Sequence, residues 1–540
     1  MLCVMPRPTL FFGSLVALGS IFLVTPTHAD DAPAPHSAAQ DVEAHASAPA
    51  PTWTSGYHDD RFFLRSPDDV FRLYVQARVH VDFSRAFGAG VSSLTPDSAL
   101  NDGFFLRRAR LEMGGEFFDR WQWQLGIEFA PSGADNPGAT AATQACTVDP
   151  TTAALNCSNR ETPVDAVSVK PAPTDVFVNY GPSPWINAQV GQTYIPFSLE
   201  NRISDNTTPF LERSLAVRAL GAPLQRDIGA MVWGESPDRV FYYAVGVFNG
   251  DGPNRPNPDN RFDVDGRVFT RPFARTLQSF TKWAEIGLSA RGGSRDPKAV
   301  GYDVPAMTTQ EGYAFWRPTY KDSLGRTLHI IPSSSQWAVG ADAHVPIGLV
   351  DVTSEIIYSR SETREAIDGL QLSPFTERLG TLAGYSYYVE AGVWVIGNQE
   401  VIGYPSYARP IHVDLSKPDE HPREGVQVVG RFEQLHVTYD GASRGGKIDA
   451  KTPNGDIDVT SFTLGVNYWA TKHLRVSLNY GAYFFPGSEP TAASEKGGPV
   501  QSATQRAIAP GQYLAKGVDN AARDGNHSVN EISARFGVQF

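Results

Sequence analysis

Cysteine is nearly absent: three residues in 540. Cys3 falls within the first 29 residues, which read as a signal peptide, so a disulfide-dense framework is excluded and Cys146 and Cys157 are left for a single bridge. They sit in a loop-like stretch, where two readings stand: a disulfide closing that loop in an oxidising compartment, or a pair of unpaired thiols. No run of about 18 apolar residues follows the N-terminus, which excludes a helical membrane protein. HExxH, P-loop and CxxC patterns are missing, so no catalytic constellation, metal site or cofactor motif is read and the chain is not expected to be an enzyme. DNRFDVDG at 259–266 has the flavour of a calcium loop but lacks the terminal glutamate. Basic residues are scattered and outnumbered, 46 against 58 acidic, for a net charge of −12; a nucleic-acid footprint is therefore absent.

What the chain does have is a composition of strands and loops: 49 Gly, 40 Pro and 11% aromatics. Its first 29 residues read as a secretory signal peptide, with Arg7, an apolar run from Leu10 to Val24 and the small-residue site Thr27-His28-Ala29. Residues 30–68, rich in Ala and Pro toward their start, read as a disordered leader. From 69 to 540 the pattern changes to period-two alternation. Phe71, Leu73, Val75, Ala77, Val79, Val81 and Phe83 oppose Arg72, Tyr74, Gln76, Arg78, His80, Asp82 and Ser84. The stretch FFLRRARLEMGGEFFDRWQWQLGIEFA (104–130) repeats the pattern twice around a turn at Phe118, Asp119 and Arg120: Leu111, Met113, Trp121, Trp123, Leu125 and Ile127 lie on one side, Arg108, Arg110, Glu112, Gln122, Gln124 and Glu128 on the other.

Each arm of that hairpin is close to the roughly 9–11 residues a tilted strand needs to cross a bilayer. Similar segments recur to the last residue, Phe540, an aromatic on the apolar face. They number about sixteen, joined by alternating short turns (118–120, 181–185, 234–239, 347–349, 471–473) and long connections, which assigns the short turns to the periplasm. A soluble all-β protein would also alternate, but its inner face would be apolar. Here the other face carries Arg72, Arg78, Arg431, Arg475 and Arg535 together with Asp82, Glu112, Glu128, Asp175, Asp263, Asp265, Glu285, Asp342, Glu355, Glu390, Glu433 and Glu531. A watery lumen accepts such groups and a packed core does not. The reading is an all-β, transmembrane antiparallel β-barrel of about 16 strands. His80 and His344 point inward by parity, against a lipid-facing Ser/His pair of an outer-membrane phospholipase.

The hairpin, followed by DVFVNYGPSPWINAQVGQTYIPFSLENRISDNTTPFLERS (175–214), YYAVGVFNGDG (242–252), DVDGRVFTRPF (263–273), YYVEAGVWVIGNQE (387–400), GRFEQL (430–435) and TLGVNYWATKHLRVSLNY (463–480), resembles the phosphate-selective porin O and P family. The resemblance implies a trimeric sixteen-stranded pore in the outer membrane of a Gram-negative type envelope. It also implies an inward-folded third loop, arginines along the path and lysines at the constriction. Carried onto this chain, the third loop is 196–225, with Arg202, Arg213 and Arg218, and Arg226 just beyond. Guanidinium suits anions because it offers a fixed fork of donors and stays charged. Glu200, Asp205 and Glu212 share the loop and offer the other reading, in which they pair with those arginines to hold its shape. Arg108, Arg110 and Arg431 join the expected ion path, with Lys298 and Lys321 of the fifth loop. The expected function is passive diffusion of small anions, phosphate or polyphosphate first, with outer-membrane lipid as partner and no cofactor. A general or differently selective porin is the alternative, and an outer-membrane enzyme or surface adhesin the alternative of another class.

Overall fold

The computed structural model describes residues 52–58, 61–87, 102–130, 145–148, 155–158, 171–221, 225–276, 280–296, 302–312, 314–316, 318–321, 327–367, 378–403, 409–416, 424–446, 454–484 and 528–540. Sixteen strands form one antiparallel sheet in chain order: β1 (Phe71–Phe87), β2 (Gly103–Phe117), β3 (Trp121–Glu128), β4 (Ala172–Ser183), β5 (Ile186–Tyr194), β6 (Arg226–Glu235), β7 (Phe241–Phe248), β8 (Asp263–Thr270), β9 (Glu285–Arg295), β10 (Thr327–Ile347), β11 (Val350–Ile367), β12 (Leu379–Ile396), β13 (Gly425–Gly445), β14 (Asn454–Thr471), β15 (Leu474–Phe484) and β16 (Ser528–Gln539). The sheet closes on itself: Gln539 of β16 lies opposite Arg78 of β1, and Asn530 opposite Phe87. Phe540 completes the seam by exchanging backbone hydrogen bonds with Ala77 at 2.6 and 2.9 Å. Closure satisfies every strand edge, the condition for crossing a hydrocarbon layer.

The period-two pattern sorts the wall as expected. Val190, Leu464, Ile286 and Leu288 are between 56% and 63% exposed on the outside, while Arg78, Asp82, Glu112, Arg267, Asp342, Glu355, Glu433 and Arg535 are buried inside. An outer surface this apolar would be an aggregation hazard in water and is the required face in lipid. Beside the 118–120 turn, the Phe117 and Trp121 rings stack at 6.1 Å and Trp121 meets Tyr180 at 4.7 Å. At the other end of the same hairpin Phe83 meets Phe104 at 4.9 Å. These are the two aromatic belts of such walls.

Two features depart from the sequence expectations. Within the stretch read as disordered to residue 68, Thr54–His58 and Arg61–Arg65 form an antiparallel hairpin whose second strand pairs with β1 from Arg72 to Val75. The TSGYH and RFFLR segments reach the free β1 edge below the end of β16. The short-turn end also carries a long connection, 397–424, between β12 and β13. Its described part packs Ile411 and Val413 on Tyr74 and sets His412 Nδ1 2.5 Å from Glu116 of β2. Arg409 pairs with Glu235 of β6 at 2.7 Å. Gly114 permits this approach, since a Cβ there would lie 2.8 Å from that of Ile411. Arg65 of the hairpin donates to the Val413 carbonyl at 2.8 Å, tying the two added segments together.

Candidate ion path

The connection between β5 and β6 is held by strands from widely separated parts of the sheet. Backbone N–H groups of Leu199 and Glu200 donate to the Glu355 carboxylate of β11 at 3.2 and 3.4 Å. Leu215 N–H donates to Glu433 of β13 at 2.6 Å, and Arg535 of β16 donates to the Leu211 carbonyl at 2.9 Å. Phe197, Leu215 and Val217 share one apolar cluster with Ile357, Tyr388, Leu435 and Val437 of the wall. Wall carboxylates such as Glu355 and Glu433 therefore accept the orphan N–H groups of a connection that has little secondary structure of its own.

Acids of the connection complete the attachment. Asp205 binds Arg108 of β2 at 3.0 Å and Arg213 at 2.9 Å. Glu212 binds Arg107 at 2.9 Å and Arg535 at 3.2 Å. Burial by itself would raise the Asp205 carboxyl, but Arg108, Arg213, Arg110 and Arg78 outweigh it and hold that carboxyl well below the ordinary range. Glu212 behaves alike: burial opposes ionisation, and Arg107, Arg108 and Arg535 bring its carboxyl below the usual value.

The residues expected along the path divide into two groups. Arg213 spends its guanidinium on the Glu200 and Ile203 carbonyls, at 2.6 and 3.0 Å, as well as on Asp205. Arg218 donates to the Arg213 and Thr308 carbonyls at 2.8 and 2.7 Å, linking this connection to the one between β9 and β10. Arg431 lies against the Phe210 ring at 4.4 Å and within 3.4 Å of both Glu200 and Glu433. These three sit where the loop is pegged together. Arg110 and Arg226 instead line an open cavity of about 420 Å³, together with Arg202 of the connection. Arg226 is fixed by Asp175, 2.8 Å away, and by the Tyr194 ring, 3.7 Å from its guanidinium carbon; Arg110 is fixed by Glu128 at 3.1 Å. Lys298 lies outside the described residues. For Lys321 the backbone pairs with Thr327 at the start of β10.

Three contributors escaped the sequence reading. Arg107 belongs to the lipid face by strict parity, but a bulge opposite the His80–Val81 step of β1 slips the register by one, so Arg107 and Arg108 are both directed at the connection. An arginine at a lipid-facing parity position was itself the signal, because a charge on that face costs a few kcal/mol. Arg409, on the long connection 397–424, and Arg61, on the N-terminal hairpin, line the cavity from segments without a barrel-strand pattern. No period could have placed them. Among the described residues no group of three or more His, Cys, Asp or Glu side chains has a metal-holding arrangement.

Residues 74–270 match the family described as phosphate-selective porin O and P. No curated protein matches the chain. Among solved structures, the chain is similar to a loop L8 deletion form of OmpT, an outer membrane protein of Vibrio cholerae: 9% identity, TM-score 0.45, covering 87% of this chain and 100% of that one. It is also similar to an anion-selective porin from Comamonas acidovorans, at 10% identity and TM-score 0.41, covering 87% and 100%. The outer membrane channel DcaP of Acinetobacter baumannii is similar at 9% identity and TM-score 0.42, covering 87% and 97%. A closed sixteen-stranded barrel with an apolar outer wall and a charged inner one, matched over residues 74–270 by the phosphate-selective porin O and P family, makes this chain an outer-membrane porin.

Proposed function

We propose that the chain is a passive channel for small anions, with the β5–β6 connection acting as its constriction. The observation that carries this reading is the lining of the 420 Å³ cavity, where Arg61, Arg78, Arg110, Arg202, Arg226 and Arg409 stand against two carboxylates, Glu112 and Asp175. Guanidiniums on several different segments let an anion pass from one to the next, and no single one need hold it so tightly that it cannot leave. The family match favours phosphate as the solute. Arg110, Arg202 and Arg226 are the residues proposed to meet the ion, while Arg108, Arg213, Arg218 and Arg431 hold the constriction in shape. Lys298 and Lys321 retain the role that the family resemblance implies for constriction lysines. The functional unit is proposed to be a homotrimer, which native mass spectrometry of the detergent-extracted protein would test.

A general porin is the second reading, favoured by the pairing of wall arginines with carboxylates: Arg78 with Glu112 at 2.6 Å, Arg226 with Asp175 and Arg535 with Asp82, the last two at 2.7–2.8 Å. Phosphate titration of the chloride current in a planar bilayer separates the two. An anion path through the arginine-lined cavity is blocked by millimolar phosphate; a general porin conducts chloride unaffected.

A further inference from the structure

Guanidinium is half of the chemistry around the cavity. Ile402 and Pro410 of the connection 397–424 line the same space, and so does the Phe177 ring of β4. An inorganic anion gains nothing from such groups, since it must shed water to touch them and they return no hydrogen bond. The volume of about 420 Å³ lies in the roughly 300–1,000 Å³ range of sites for organic small molecules. The polar side is pre-organised. Arg226 commits Nε and Nη2 to Asp175 and is braced by the Tyr194 ring, so that Nη1 is held at a fixed place to meet an incoming oxygen.

We propose that this cavity takes organic carboxylates carrying a hydrocarbon or aromatic group, with the carboxylate on the wall arginines and the apolar part against Ile402, Pro410 and Phe177. The proposal rests on the anion-channel reading and narrows its solute class. An amphiphilic anion uses both halves of the lining, whereas phosphate uses one. The part of the lining from connection 397–424 belongs to no barrel strand, so its side chains can be changed without removing a strand pairing.

The test uses the full chain in a planar bilayer in KCl at neutral pH, with sodium benzoate and inorganic phosphate as separate blockers of the chloride current. Benzoate is expected to half-block at about a tenfold lower concentration than phosphate, the discrimination that a partly enclosed apolar surface supplies. Ile402→Ser and Pro410→Ser should each raise the half-blocking concentration of benzoate several-fold and leave that of phosphate unchanged. Equal block by the two anions, or benzoate block indifferent to both substitutions, would overturn the proposal while the anion channel stands. A cation-selective zero-current potential would instead remove the reading on which it rests.

Discussion

Arg107 and Arg108 are consecutive in β2, yet each binds a different acid of the β5–β6 connection: Arg107 reaches Glu212 at 2.9 Å and Arg108 reaches Asp205 at 3.0 Å. In a regular strand one of them would face lipid. The bulge opposite His80 and Val81 converts a would-be lipid-facing charge into a second peg for the loop.

If these pairs hold the connection in place, Asp205→Asn with Glu212→Gln will release it. Removing one partner of a buried pair leaves the other charge uncompensated, at about 3–5 kcal/mol, which exceeds what a few loop hydrogen bonds return. Single-channel recordings of the double variant should show a larger and noisier conductance than the wild type. Unchanged conductance would mean that the connection does not narrow the pore.

The outer wall makes a prediction about lipid. Leu464 is 62% exposed in the middle of β14, a harmless place for arginine in a soluble protein. In a bilayer Leu464→Arg should cost about 2–4 kcal/mol, read as a shift in the urea midpoint for unfolding from phospholipid vesicles. No shift would contradict the assignment of that face to the membrane.

Glu311, on the connection between β9 and β10, is pushed up to about 7: burial is the main cause, and Glu212 and Asp82 add to it against a hydrogen bond from Ser533 and the charge of Arg107. Its backbone N–H donates to Glu531 of β16 at 3.2 Å. A carboxyl raised in the folded state favours folding below its ordinary value, and that advantage is lost as pH rises through about 7. Thermal unfolding in detergent should therefore occur at lower temperature at pH 8.5 than at pH 6. Glu311→Gln should flatten the difference, and an opposite slope would contradict the assignment.

Cys146 and Cys157 are directly opposed in a two-stranded antiparallel ribbon, Ala145–Val148 with Leu155–Ser158. Opposed residues in such ribbons have Cα atoms about 4.5–5.5 Å apart, within the span a disulfide bridges. The folded protein is expected to take no maleimide label before reduction and to label at both cysteines afterwards. Labelling of both without reductant would favour the free thiols.

The barrel was legible because lipid and lumen impose opposite chemistry on alternate residues, so Leu111, Met113 and Leu464 could be set apart from Glu112 and Thr463 by counting alone. The bulge at Arg107 was marked only by a charge at a lipid-facing parity position, which shows that the period breaks there but not which acid the side chain turns to. The roles of Glu355 and Glu433 were also hidden. Parity put them inside, but the partners they serve, the N–H groups of Leu199 and Leu215, are more than a hundred positions away in sequence. Arg213 shows the same limit from the loop side: a guanidinium that could face a solute is committed to the Glu200 and Ile203 carbonyls.

The central claim is that the arginine-lined cavity conducts anions despite a net charge of −12 over the whole chain. The most direct measurement is the zero-current potential of the reconstituted channel across a KCl gradient, for the wild type and for Arg202→Gln. An anion path gives a potential of the sign set by chloride, reduced in the variant. A potential of the sign set by potassium would show that the lumenal carboxylates, not the arginines, decide what passes.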